Sequence, residues 1–185
     1  MEKLIIGSRG SKLALKYAEI AKKAFLKELN IEIEIKKITT EGDLVLDRRT
    51  SEIGGKGEFI KNIEKELISK KIDVAVHSLK DVPSIKTDGL RMECFLKRND
   101  PQEVLINKEN LTLNKIKKNS IIGTSSLRRE FQLKHLRPDL NFKLIRGNID
   151  TRIKKLDEDQ YDSIILAKAG LVSLSIENRI SEVFD

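Results

Sequence analysis

Short apolar segments alternate with amphipathic helical segments along this chain, and this alternation restricts the possible folds more than any other feature. Residues 3–8 predict a buried strand, and residues 11–30 predict a helix that follows it after a tight turn. The alternation continues with predicted strands at 31–38, 72–77, 120–126, 142–148 and 162–167, and with predicted helices at 57–71 and 127–136. Such alternation is typical of layered α/β folds with parallel sheets.

The pattern starts again in the second half of the chain, after a polar and loop-like stretch from Lys97 to Asn119. We therefore predict two α/β lobes, residues 1–96 and 97–185. Both lobes open alike: "IIGS" at 5–8 and "IIGT" at 121–124 each end a strand in glycine and a hydroxyl residue before a helix. Backbone N–H groups at helix N-termini bind anions, so two such lobes facing each other predict an anion-lined ligand cleft.

The composition, 39% hydrophobic and 35% charged residues in 185, is that of an ordinary globular protein. The N-terminal apolar run is too short for a signal peptide, and no segment approaches the ~20 apolar residues that cross a bilayer. We therefore expect a cytoplasmic protein with no membrane partner. A single cysteine, Cys94, excludes an internal disulfide, and with only His77 and His135 we predict no metal site.

The formal net charge of +7 raises the question of nucleic-acid binding. Aromatic residues make up only 4% of the chain and Trp is absent, which leaves few side chains on which bases stack. We interpret most lysines as solvated surface. Nucleic-acid binding, which predicts a salt-sensitive affinity for DNA or RNA, therefore ranks last among three hypotheses, and we expect no nucleic-acid partner.

The stretch "GTSSLRRE" is the most informative motif of the second lobe. Three hydroxyl residues precede the predicted helix, and capping that helix is their simplest role: Thr124, Ser125 and Ser126. Arg128 and Arg129 follow in the first helical turn, where the helix dipole disfavours cations. A site that binds carboxylates would explain their position.

Other arginines repeat this placement near the carboxyl ends of predicted strands. Arg9 and Arg146 follow strands, and Arg152 lies in the helix after Arg146. Guanidinium groups bind carboxylates through planar, two-pronged contacts. The arginines therefore favour a ligand with several carboxylates over a duplex backbone.

The glycine-rich stretch "EIGGKGEF" resembles a phosphate loop at first sight, but Gly57 stands where that motif requires serine or threonine. We therefore exclude nucleotide hydrolysis. Two interpretations remain open: a flexible loop, or a mobile segment whose Lys56 reaches the ligand.

The stretch "VAVHSLKDVPS" is interpreted as the end of a buried strand that carries Lys80 beside Asp81. Neighbours along a strand point to opposite faces, so one of these two side chains can face a cleft. Asp81 either forms an ion pair with Lys80 or an arginine, or stabilises positive charge that develops on the ligand.

Together the motifs "GSRGSKLAL", "TEGD", "GGKGEF", "HSLKDVP", "GTSSLRR" and "RGNIDTR" closely resemble the porphobilinogen deaminases, also called hydroxymethylbilane synthases. The likeness covers nearly the whole chain in the right order. It implies a transferase of tetrapyrrole and heme biosynthesis that joins four porphobilinogen molecules head to tail, releases ammonia each time and grows its product on a dipyrromethane cofactor. It also implies two domains like those of type II periplasmic binding proteins, and a monomer.

By this resemblance Asp81 is the catalytic residue, which hydrogen-bonds pyrrole N–H groups and stabilises the cation left when ammonia departs. The residues implied to hold the acetate and propionate groups of cofactor and substrate are Arg9, Ser11, Lys56, Ser78, Lys80, Thr124, Ser125, Ser126, Arg128, Arg129, Arg146 and Arg152. Each porphobilinogen carries two carboxylates, which accounts for the number of arginines.

Three residues depart from the family pattern: Tyr17 where glutamine is frequent, Glu41 where lysine or arginine is usual, and Ser173 where arginine is common. By the resemblance we further expect that this chain lacks the segment returning to the first lobe and the third domain, whose cysteine anchors the cofactor. Cys94 does not match that cysteine, and we interpret it as a small core residue. Activity is then expected to be impaired, or to depend on a separate C-terminal polypeptide.

A second hypothesis treats the chain as a non-catalytic module, or a decayed paralogue, that binds a polycarboxylate without reaction. Replacement of Asp81 distinguishes this hypothesis from the hypothesis of an enzyme. Its replacement abolishes catalysis in an enzyme and spares carboxylate binding, whereas a pure binder has no reaction to lose.

Overall fold

The computed structural model describes residues 3–40, 60–85 and 87–184. The chain divides into two compact units, unit 1 (Met1–Arg98) and unit 2 (Asn99–Asp185). Each unit has its own open sheet with helices beside it. In the described residues, no helix has both the length and the apolar character needed to cross a membrane.

Unit 1 is built on a parallel sheet with the strand order β2-β1-β3. Its described strands and helices are β1 (Lys3–Arg9), α1 (Lys12–Glu28), β2 (Glu32–Ile38), α2 (Lys61–Ile68) and β3 (Val74–Ala75). Strand β1 pairs in parallel with both of its neighbours. A helix between consecutive strands supplies the crossover that parallel pairing needs.

The sheet of unit 1 is covered by α1 and α2, which pack on opposite faces of β1. Ala18 of α1 is fully buried in one cluster with Ile6. Ile63 of α2 is fully buried in another cluster, which Ile5 contacts. Successive strand residues point to opposite faces, so Ile6 of β1 packs against α1 and the adjacent Ile5 packs against α2.

Unit 2 is built on a five-stranded sheet with the order β6-β5-β7-β4-β8. Its described elements are β4 (Glu103–Ile106), β5 (Ile121–Gly123), α3 (Leu127–Leu136), β6 (Asn141–Lys143), α4 (Ile149–Asp157), β7 (Ser163–Ala167), α5 (Lys168–Ser173) and β8 (Glu182–Phe184). Strand β5 pairs in parallel with β6 and β7, whereas β4 is antiparallel to β7 and β8. Two apolar clusters flank the sheet: Leu133 of α3 lies in one, and Leu156 of α4 in the other.

Two of the sequence predictions are wrong in this architecture. The stretch from Lys97 to Asn119 was expected to be loop-like, yet it contains β4, and β4 makes the sheet mixed rather than parallel. The expected strand through Lys80 and Asp81 ends at Ala75, and a 3₁₀ helix, Leu79–Asp81, follows. Lys80 and Asp81 therefore do not alternate between the faces of a strand.

The repeated glycine before each strand–helix junction has a packing reason. A Cβ atom at Gly7 would collide with Cδ1 of Ile72, and a Cβ atom at Gly123 would lie 2.9 Å from Cδ1 of Tyr161. The hydroxyl residues that follow are also equivalent, since Ser8 and Thr124 are both buried. Close packing at these positions explains the similar openings of the two units.

Candidate functional site

A small pocket of about 50 Å³ in unit 1 brings together most of the site residues predicted for the first half of the chain. It is lined by the end of β1, the start of α1 and the segment that follows β3: Arg9, Ser11, Leu13, Ala14, Tyr17, Val76, His77, Ser78 and Asp81. A cavity of this size has room for a few water molecules or one small chemical group.

The start of α1 forms one wall of this pocket. Ser11 is the N-cap residue, and its Oγ accepts a hydrogen bond from the backbone N–H of Ala14 at 3.3 Å. Arg9 is the last residue of β1 and thus lies just before this cap. Tyr17, one of the departures from the family pattern, lines the pocket one turn after Ala14.

Asp81 closes the 3₁₀ helix and is half-buried in the pocket wall. Its backbone N–H donates to the carbonyl of Ser78 at 2.9 Å, which fixes the turn that carries the carboxylate. Lys80 is exposed, and the ion pairs of the described residues include none between Lys80 and Asp81. The carboxylate is therefore not neutralised by its sequence neighbour.

His77 is a pocket residue to which the sequence analysis assigned no role. Burial, together with the positive charge of Arg9, lowers the pKa of His77 from its ordinary 6.5 to about 4. At neutral pH the imidazole is therefore uncharged, and it offers one donor and one acceptor without adding positive charge beside Asp81.

In unit 2 the residues of "GTSSLRRE" surround the N-terminus of α3. Ser126 is the N-cap residue, and its Oγ accepts from the backbone N–H of Arg129 at 3.4 Å. Oγ1 of Thr124, which is buried, accepts from the N–H of Ser126 at 3.2 Å. Ser125 lies half-buried between them. Two of the three hydroxyls thus shape the turn.

The two arginines of α3 share one carboxylate, that of Glu103 in β4. Nη2 of Arg128 lies 2.5 Å from Oε1 of Glu103, and Nη2 of Arg129 lies 2.6 Å from Oε2. Arg129 also donates to the carbonyl of Ile165 at 3.1 Å. Glu103 is absent from the predicted site because the polar stretch around it indicates a loop. The apolar run "VLI" that follows Glu103 was the available signal for a strand.

The other two predicted site arginines of unit 2, Arg146 and Arg152, lie around the turn into α4. Arg146 is buried at 5% exposure. Nε of Arg152 donates to the carbonyl of Gly147 at 2.7 Å, and Gly147 has a φ of +108° that favours glycine. Thus Arg152 stabilises the turn that also carries Arg146.

Four further residues complete the comparison with the sequence predictions. Lys56 and Glu41 lie outside the described residues. Ser173, the third departure, is half-buried in α5. Cys94 is exposed, so its interpretation as a small core residue is wrong. Its extended segment, without regular secondary structure, offers no core to enter.

The fold is that of type II periplasmic binding proteins, as shown by likeness to solved structures. The structure of the B. pertussis BvgS periplasmic domain matches 99% of this chain and 35% of its own, with a TM-score of 0.50 and 10% identity. A candidate methionine-binding lipoprotein from Bacillus subtilis matches 99% of this chain and 78% of its own, with a TM-score of 0.50 and 11% identity. At such low identities the likeness concerns the fold alone.

The sequence itself matches a family model described as "Porphobilinogen deaminase, dipyromethane cofactor binding domain" over residues 4–185. A porphobilinogen deaminase from Staphylococcus saprophyticus is 51% identical over 172 residues, which are 92% of this chain and 56% of the relative. Another from Bacillus thuringiensis is 48% identical over 185 residues, 97% of this chain and 59% of the relative. The chain thus spans 56–59% of the length of these curated relatives. It belongs to the porphobilinogen deaminase family.

Proposed function

We propose that this chain carries the substrate site of a porphobilinogen deaminase, which joins four porphobilinogen molecules head to tail into hydroxymethylbilane. In each coupling the bond between the aminomethyl carbon and its nitrogen breaks and ammonia leaves. A carbon–carbon bond forms to the terminal pyrrole of the growing chain, which loses a ring proton. One water molecule finally supplies the hydroxyl group when the bond between the tetrapyrrole and the cofactor breaks. The observation that carries the proposal is the half-buried Asp81 carboxylate in a pocket with Arg9 and Ser11.

Asp81 is proposed as the catalytic residue because its carboxylate suits both stages of the coupling. It accepts a hydrogen bond from a pyrrole N–H, and it stabilises the positive charge that develops as ammonia leaves. Neutral His77 supports this role, since an imidazolium in the same pocket would oppose that charge. Because the His77 ring is neutral, the carboxylate of Asp81 can stabilise the developing positive charge without opposition from a neighbouring cation.

The anionic side chains of the substrate are proposed to bind basic and hydroxyl groups in both units. Arg9, Ser11 and Ser78 line the pocket of unit 1 and are suited to one carboxylate. In unit 2 the first turn of α3 offers a capped helix N-terminus with two arginines, Arg128 and Arg129. Lys56, Lys80, Arg146 and Arg152 are assigned to the same function by family resemblance.

The same side chains fit a dipyrromethane, the cofactor in the description of the matching family model. The pocket admits one small chemical group, which suits either a pyrrole N–H group at the acceptor Asp81 or a carboxylate at Arg9 and Ser11. When bound, the dipyrromethane supplies the pyrrole on which the growing chain begins. Cys94 lies in an exposed segment and is not proposed as its attachment point.

The experiment is a porphobilinogen consumption assay with Ehrlich's reagent, combined with a measurement of released ammonia. The chain is assayed alone and with the C-terminal remainder of the Staphylococcus saprophyticus relative added, since it spans 56% of that relative. We expect turnover in the mixture and little in the chain alone. Porphobilinogen binding without consumption in either sample would contradict the proposal and support the polycarboxylate-binding module.

A further inference from the structure

Glu103, Arg128 and Arg129 form an ion-paired cluster at the start of α3, and the proposed function assigns no role to Glu103. Glu103 presents one carboxylate oxygen to each of two arginines, at 2.5 Å from Arg128 and 2.6 Å from Arg129. Carboxylates of proteins and of ligands pair with guanidinium groups through the same charge-assisted hydrogen bonds. The protein's own carboxylate thus occupies guanidinium groups that could bind a ligand carboxylate.

The two arginines of this cluster are not equivalent. The Arg128 side chain is 61% exposed, and its further contact is a 3.5 Å hydrogen bond to Gln132 on the same helix. The Arg129 side chain is 12% exposed and is also held by the carbonyl of Ile165. An exposed ion pair contributes little to stability, whereas breaking a buried pair is costly. Arg128 is therefore the cation that can exchange its partner.

The carboxylate of Glu103 is also incompletely satisfied. Its Oε2 atom is buried and close to Arg129, yet in the described residues it has no hydrogen-bond partner of good geometry. Nε of Arg129 is likewise buried without a hydrogen-bond partner among the described residues. The Glu103–Arg129 ion pair is thus close in distance but imperfect in direction.

We propose that Glu103 is an internal counter-ion, which a ligand carboxylate displaces from Arg128 while Glu103 remains paired with Arg129. This inference rests on the proposed function insofar as the ligand carries carboxylates. Glu103 then acts as a positioning residue. It orients both arginines before binding, and its negative charge weakens the site for anions, which must compete with it for Arg128.

The first test is the affinity for citrate, a tricarboxylate without a pyrrole, measured by isothermal titration calorimetry at low salt. Glu103→Gln keeps a hydrogen-bonding side chain and removes the competing charge. We expect citrate to bind about three- to tenfold more tightly to this variant than to the unaltered chain. The matched control is Asp159→Asn, which removes the same charge from an exposed pair with Lys108 and should leave citrate affinity unchanged.

The second test needs no substitution. The side-chain Nε–Hε signals of Arg128 and Arg129 are followed by NMR while citrate is added to the unaltered chain. The proposal predicts that the Arg128 signal shifts with saturation while the Arg129 signal stays nearly constant.

A purely structural Glu103 predicts the opposite sign in the first test, because looser arginines bind citrate less well. Equal or weaker binding by Glu103→Gln, or equal shifts of both arginine signals, would overturn the proposal. Absence of citrate binding in both proteins would overturn it as well. None of these results depends on porphobilinogen turnover, so the proposed function stands or fails by its own assay.

Discussion

The two units begin with the same strand–glycine–hydroxyl–helix junction but use it differently. In unit 1 the junction borders a pocket in which Asp81 is a half-buried carboxylate without an ion pair to its neighbour Lys80. In unit 2 the arginines after the junction already share a carboxylate, Glu103. One local motif therefore gives a carboxylate facing a pocket in one unit and a partly neutralised basic cluster in the other.

The difference arises from the strands around each junction rather than from the junction itself. In unit 1, strand β1 lies between two parallel strands, and the segment after β3 brings Asp81 to the start of α1. Unit 2 has the antiparallel strand β4, whose first residue is Glu103. The chemistry of a βα junction is thus set by residues that lie distant in sequence.

The largest effect is expected at Asp81. We predict that Asp81→Asn lowers porphobilinogen turnover by about 10²- to 10³-fold, the loss typical of removing one electrostatic stabiliser of a transition state. Binding of porphobilinogen should change much less. The measurement compares initial rates of porphobilinogen consumption with the C-terminal remainder of the Staphylococcus saprophyticus relative added. Asp88→Asn, an exposed residue of the same unit, serves as the control. Equal activity of Asp81→Asn and the control would refute the catalytic assignment.

The next effect concerns the two arginines of unit 2. Arg129→Ala should lower the free energy of unfolding by about 2–3 kcal/mol, because it leaves the Glu103 carboxylate without its buried partner. Arg128→Ala should cost less than about 1 kcal/mol, since its ion pair is exposed. Urea unfolding followed by circular dichroism measures both. Similar losses in the two variants would remove the proposed distinction between a fixed and an exchangeable arginine.

A pH effect is expected from His77 in unit 1. Its pKa is about 4 in the folded chain and near 6.5 when unfolded, so the unfolded chain binds more protons between these values. The free energy of unfolding should therefore fall as the pH is lowered from about 6.5 to about 4, by roughly 2–3 kcal/mol from this residue.

The measurement is the difference in unfolding free energy between the unaltered chain and His77→Gln across this pH range. That difference should shrink as the pH falls. A constant difference for His77→Gln would mean that its imidazole is not held neutral.

The smallest effect compares the two helix caps directly. Ser11 and Ser126 accept hydrogen bonds of 3.3 and 3.4 Å from the third residue of their helices. Replacement by alanine should cost about 1 kcal/mol in each case. Thermal unfolding measures these losses, with Ser69→Ala at an exposed helix end as the control. A loss for one cap alone would show that the two junctions are less alike than their geometry indicates.

The regular elements could be predicted from local periodicity, because their burial pattern repeats within one segment. Strand β1, helix α1 and helix α3 lie where the apolar spacing places them. Asp81, Ser11 and Arg9 were assigned by resemblance, and they line one pocket.

The remaining features depend on contacts between distant segments, which local patterns do not encode. Strand β4 has only four residues and is defined by its pairing with β7 and β8. The missed Glu103 is a direct consequence, since its role depends on that pairing. The low pKa of His77 likewise follows from burial and from Arg9, 68 positions earlier in the chain.

The proposal that each junction, taken by itself, binds pyrrole carboxylates is tested most directly by an NMR titration of the chain with porphobilinogen. We expect saturable shifts of the backbone amides of Ser11, Tyr17 and Asp81 in unit 1, and of those in the first turn of α3 in unit 2. Shifts confined to lysine-rich surfaces, or no shifts at either junction, would contradict it.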